Sequence, residues 1–145
     1  MWPHTILKWV SFFAYMIGAA AAISSLLQYR KNSKQARIRW LLELHQRFYS
    51  EPPLAEIRIL IEEGKTDFVR EEQNLSLLAN LDSYLNFFEF VGYLHLQKEL
   101  DITEIKAMFD YPLQSIAKNG DVLNYVWKYG YEWLRELLKE LGYPK

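Results

Sequence analysis

Cysteine is missing altogether from the 145 residues. That removes disulfides, thiolate nucleophiles and cysteine-bound zinc, but leaves the compartment open, because a cysteine-free chain is viable on either side of a membrane. Histidine is scarce. His4, His45 and His95 are the only three, none lies four residues from another, and none belongs to a Glu-x-x-His helix signature, so no metal site is expected. Glycine is thin as well, and the six that occur form neither a phosphate-cradling loop nor a Gly-x-Ser-x-Gly elbow. The adjacent carboxylates Glu62 with Glu63 and Glu71 with Glu72 sit at helix ends, where they read as solvated charge and not as an acid/base pair. No sustained two-residue alternation, internal repeat or low-complexity run is present. The chain is therefore expected to be all-α, with no catalytic residues and no cofactor.

Charge is present but unevenly placed. Residues 28–49 carry six Lys or Arg against the single acid Glu43, whereas residues 50–145 carry ten against seventeen. The acidic remainder argues against extended contact with DNA, while a basic collar beside an apolar segment suits an anionic membrane surface. That apolar segment runs from Trp9 to Leu27 without a charged residue or histidine. As a helix it would rise roughly 28 Å, close to the hydrocarbon thickness of a bilayer. Arg30, Lys31, Lys34, Arg37 and Arg39 follow it, against Lys8 and the amino terminus before it, and this asymmetry predicts a cytoplasmic carboxyl side at the inner membrane. A cleaved signal peptide is the rival, with Lys8 as its n-region and Ala19 to Ala22 offering cleavage sites. The basic cluster downstream disfavours it, since those charges oppose translocation. Within the span, Ser11, Ala14, Gly18, Ala22 and Ser25 form a stripe of small side chains, the kind of face along which membrane helices approach one another, and so predict a homo-oligomer; frequent Ala and Gly in any membrane helix would give the same pattern without association.

The expected organisation is an anchor over residues 1–30, a basic linker helix over 31–49 and a cytosolic helical domain over 50–145, with about four to five helices. Ile38, Leu41, Leu42, His45 and Phe48 continue at helical spacing until Pro52 and Pro53 stop them, with Asn32 and Ser33 as a candidate break. A short helix from Leu54 ends at Gly64. The most apolar stretch, around Leu78, Leu81, Leu85 and Phe88, belongs at the domain's centre. Asp101 with Glu104 has capping-box spacing, and Pro112 should end or kink the following helix. Asp121 is then read as the N-cap of one long closing helix reaching Leu141. His45 and His95 fall on apolar faces, where core or interface positions are expected.

The stretch Leu81 to Leu113 resembles a large family of bacterial proteins with one amino-terminal membrane helix and a small helical domain. The likeness rests on the Leu-Asn-Phe-Phe-Glu run (Leu85 to Glu89), the acidic turn at Asp101 and the Met-Phe-Asp end (Met108 to Asp110) before Pro112. It implies architecture and assigns no catalytic residue. In layout the chain is also similar to a CRISPR-associated membrane effector that binds cyclic tetra-adenylate, which implies an antiviral sensor. Asp82, Asn86, Glu89, Tyr93 and Gln97 recur three or four apart on the central helix, and Asn86 and Tyr93 are the expected ligand contacts on that polar strip. Arg70 and Lys128 are the expected phosphate partners. Tyr125, Trp127 and Tyr129 form the alternative site, because aromatic residues spread around one helix cannot all be buried. A passive anchor that docks a cytosolic protein partner explains the same exposed aromatics equally well.

Overall fold

A computed structural model describes the backbone of residues 3–71 and 74–143, and side chains from residue 23 onward within those limits. The described residues form seven helices and no strand: α1 Pro3–Ser50, α2 Pro52–Glu62, α3 Asp67–Glu71, α4 Leu75–Leu96, α5 Ile102–Lys118, α6 Gly120–Tyr129 and α7 Glu132–Glu140. They divide into two compact units, residues 1–44 and 45–145.

In the first unit α1 is unbroken at Asn32 and Ser33. The basic residues Arg30, Lys31, Lys34, Arg37 and Arg39 are exposed, and so are Ile23, Leu26 and Leu27. Among the described residues no helix is long and apolar enough to cross a membrane. Most of the expected anchor, Trp9 to Leu27, and the small-residue stripe apart from Ser25 lie outside the described side chains.

The second unit is built on α4. Leu81, Tyr84, Leu85, Phe88 and Val91 are fully buried along it. It packs against α2, α3 and α7, which gives it the central place expected of the most apolar stretch. The last turn of α1 contributes Phe48, whose ring meets Phe87, Phe88 and Phe109 at centroid distances of 5.0, 5.1 and 5.4 Å. Tilted and edge-on contacts of this kind suit the ring quadrupoles and add roughly 0.5–1.5 kcal/mol per pair beyond area burial. Gly92 faces α7 so closely that a Cβ there would lie 2.6 Å from the Trp133 carbonyl oxygen. Its missing side chain sets the approach of the two helices.

Three expectations at helix ends are corrected. Pro112 lies inside α5, which continues to Lys118. An interior proline costs about 3 kcal/mol or more, and burial of Ile105, Phe109, Leu113 and Ile116 on the same helix offsets it. Asn119, not Asp121, caps α6, its side chain accepting from the Val122 N–H at 3.1 Å. The closing helix is two helices, α6 and α7, because Gly130 takes a left-handed conformation (φ 80°) and turns Tyr131 inward. The carboxyl-terminal unit therefore has six helices besides the last turn of α1. The capping box at Asp101 and Glu104 is present in full, and Gly64 is left-handed (φ 70°) where a helix cap was expected.

Candidate functional site

The α6 sequence places Asp121, Asn124, Tyr125 and Lys128 three or four residues apart, hence on one face. Val69 and Arg70 from the short helix α3 lie opposite, and the six residues line a cleft of 210 Å³. Arg70 and Lys128, expected as phosphate partners from separate parts of the chain, are thus brought together. Arg70 is steadied by Asp67 at 2.6 Å, and Lys128 Nζ lies 5.0 Å from the Tyr129 ring centroid. The Tyr125 ring meets that of Tyr129 at 4.3 Å, tilted by 41°, and its hydroxyl donates to Asp82 at 2.8 Å. The α6 wall therefore offers an ammonium, a side-chain amide and the Asp121 carboxylate, and the α3 wall offers the Arg70 guanidinium. Typical small-molecule pockets run to roughly 300–1,000 Å³, so this cleft is smaller than an enclosing small-molecule site.

The polar strip of α4 does not form a single wall. Asp82 accepts from both Tyr125 and Tyr131, each at 2.8 Å, and so ties α4 to α6 and to the α6–α7 junction. Glu89 accepts from the N–H groups of Trp133 and Leu134 at 3.2 and 2.8 Å, capping an α7 that has no side-chain cap from its own N-cap residue. Asn86 lies in a different recess, of 360 Å³, with Arg47, Glu51, Leu54 and Phe90 among its neighbours. Tyr93 packs on Trp133 at 4.8 Å. Of the four expected ligand contacts, two share the α3–α6 cleft and two stand apart from it.

Burial and the Asp82 carboxylate push the Tyr131 phenol well above its ordinary range, so it stays a donor to Asp82 at neutral pH. Tyr84 is fully buried, and its hydroxyl has no hydrogen-bond partner, nor does Arg58 Nε nearby. Trp127 is 41% exposed and lies beneath Arg135 and Lys139, at 4.8 and 5.8 Å. His45 is exposed, so of the core or interface position expected for it the core one is corrected; its ring rests on Tyr49 at 4.6 Å. His95 bonds to Leu100 and Glu140. Sequence reasoning missed the groove of 370 Å³ between α4 and α7, where Leu96 and Trp133 are the apolar walls; Leu96 and Trp133 were assigned to helices without any signal for what lies between them. Among the described residues no group of three His, Asp or Glu is placed to hold a metal ion. No family model, curated protein or solved structure matches this chain.

Proposed function

We propose that this chain is an oligomeric single-pass protein of the bacterial inner membrane, whose cytosolic helical unit senses a phosphate-bearing ligand in the α3–α6 cleft. The observation that carries this reading is the meeting of Arg70 and Lys128 with Asn124 and Tyr125 in one cleft. A guanidinium and an ammonium recognise phosphate oxygens, Asn124 offers both a donor and an acceptor to a base edge, and the Tyr125 ring in the lining offers an aromatic surface to a base. A cyclic oligonucleotide messenger, acting in antiviral defence, is the sharp form of the reading. A second reading, a passive anchor that docks a protein partner, is favoured by the α4–α7 groove with its exposed Trp133 and Leu96.

The test is calorimetric titration of the full-length chain in lipid nanodiscs with cyclic tetra-adenylate, other cyclic oligonucleotides and AMP as a control. Saturable binding by the parent, weakened at least about tenfold in Arg70→Ala with Lys128→Ala, is expected, since each charge-assisted hydrogen bond is worth about 1.5–3 kcal/mol. Undiminished affinity in the double variant overturns the site. Silence across the whole panel overturns the nucleotide reading and leaves the docking one.

A further inference from the structure

His95 stands on the last turn of α4, where its Nδ1 lies 2.9 Å from the Leu100 carbonyl oxygen and its Nε2 lies 2.9 Å from a Glu140 carboxylate oxygen. A carbonyl oxygen can only accept, and so can an ionised carboxylate. A neutral imidazole carries one N–H and satisfies one of them; only the imidazolium donates to both. The two acceptors belong to different elements, the turn between α4 and α5 and the final turn of α7. We infer that His95 is a proton-operated latch, which ties the end of α7 to the α4–α5 turn while its ring is charged and releases one of the two when it is not.

The surroundings favour the charged form. Glu136 and Glu140 line the same groove as the ring from α7, Lys98 lines it from the turn, and Asp101 acts from the N-cap of α5. Three acids thus oppose one base. Partial burial, with 23% of the side chain exposed, works against the charge and is the largest single influence, but the Leu100 carbonyl, Glu140 and Asp101 together outweigh it and raise the imidazole above its ordinary value. Lys98, the one non-glycine residue with positive φ (61°) among those described, ends α4 in a left-handed turn held by backbone bonds from Lys98 N–H to the His95 carbonyl and from Glu99 N–H to the Leu94 carbonyl, both 2.9 Å. The sign follows directly. A group protonated more strongly in the folded chain contributes its full stability below the unfolded value of about 6.5 and loses it as pH rises through the higher folded value. Above that value the neutral ring keeps one bond and gives up the other, so the end of α7 or the α4–α5 turn loses one of its ties beside the groove that Gly92, Leu96, Trp133 and Leu137 line.

The experiment uses the full-length chain in detergent micelles, with three readouts from pH 5.5 to 8.5: the imidazole NMR titration of each histidine, the melting temperature, and deuterium exchange of α7 amides. His95, identified by loss of its signals in His95→Gln, is expected to titrate above the ordinary histidine value of about 6.5. The melting temperature should fall by a few degrees, and α7 exchange, after division by the intrinsic hydroxide-catalysed rate at each pH, should rise severalfold across that titration. Glu140→Gln, a change at a mostly exposed side chain, should lower the His95 titration point and flatten the pH dependence of both other readouts. It serves equally if His95→Gln does not fold, because the remaining signals then identify His95 by their response. His95 titrating at or below about 6.5, or a pH dependence unchanged in Glu140→Gln, overturns the latch.

Discussion

Asp82 is the side chain on which most of the polar geometry turns, since one carboxylate oxygen accepts from two tyrosines of different elements. Hydrogen bonds to a charged acceptor are worth roughly 1.5–3 kcal/mol. Asp82→Asn should therefore lower unfolding free energy by about 2 kcal/mol in urea titration, and adding Tyr131→Phe should cost less than the sum of the two single changes. Tyr84 offers the opposite case. Its hydroxyl is buried without a partner, so Tyr84→Phe should leave the denaturation midpoint unchanged or raise it. At Gly92 a methyl group would meet the Trp133 backbone, and Gly92→Ala should cost about 1–3 kcal/mol, as overpacking does. The spacing of Asp82, Asn86, Glu89 and Tyr93 told that they share a face, and they do. It could not tell what lies against that face: tyrosine hydroxyls meet Asp82, an α7 terminus meets Glu89, and Asn86 is exposed. Periodicity carries information about one helix only, whereas a site needs the partner helix and its register.

Among the elements, the α6–α7 break was the hardest to read. Val122, Val126, Leu134, Leu137, Leu138 and Leu141 are all buried, and their spacing imitates one continuous helix across Gly130. A lone glycine in a helical pattern is tolerated often enough to be read through. Its left-handed φ makes the position specific: Gly130→Ala should cost about 1–2 kcal/mol, seen as a lower melting temperature with helicity by circular dichroism nearly unchanged. Gly64 was legible because it directly follows a helix-spaced apolar face and the charged pair Glu62 and Glu63, and the Asp101 capping box because its two partners are three residues apart. Pro112 was misread for the reverse reason. The local rule was right about the cost, and burial on α5, which only the fold supplies, decided against it.

For the molecule as a whole, the all-α class and the central place of α4 were open to view in the sequence, because hydrophobic content along the chain ranks helices by depth. The assembly of the α3–α6 cleft was not, since Arg70 and Lys128 meet only through the packing of α3 on α6. Three phenols, Tyr84, Tyr131 and Tyr143, are pushed above their ordinary range, in each case by burial first. The unfolded chain releases those protons near pH 10 while the folded one retains them. Stability should then be level up to about pH 9 and fall above about pH 10, and melts in that range should be less steep in pH for Tyr131→Phe. The topology proposed for the chain gives a separate test. Alkaline phosphatase fused to the carboxyl terminus should be inactive, and replacing Arg30, Lys31 and Lys34 with Gln should raise its activity.

The pairing of α4 with α7 has a consequence in time. A ribosome must add residues 97–131 after α4 before the first residue of α7 exists, which at roughly 5–20 residues per second takes a few seconds. For that interval Gly92 and its apolar neighbours have no Trp133 against which to close, and Glu89 waits for the amides it will cap. The nascent chain therefore carries an apolar helix without its partner, a natural target for a holding chaperone. Stalled products that stop short of Glu132 should aggregate or be degraded, even though every residue of the α3–α6 cleft has already been made.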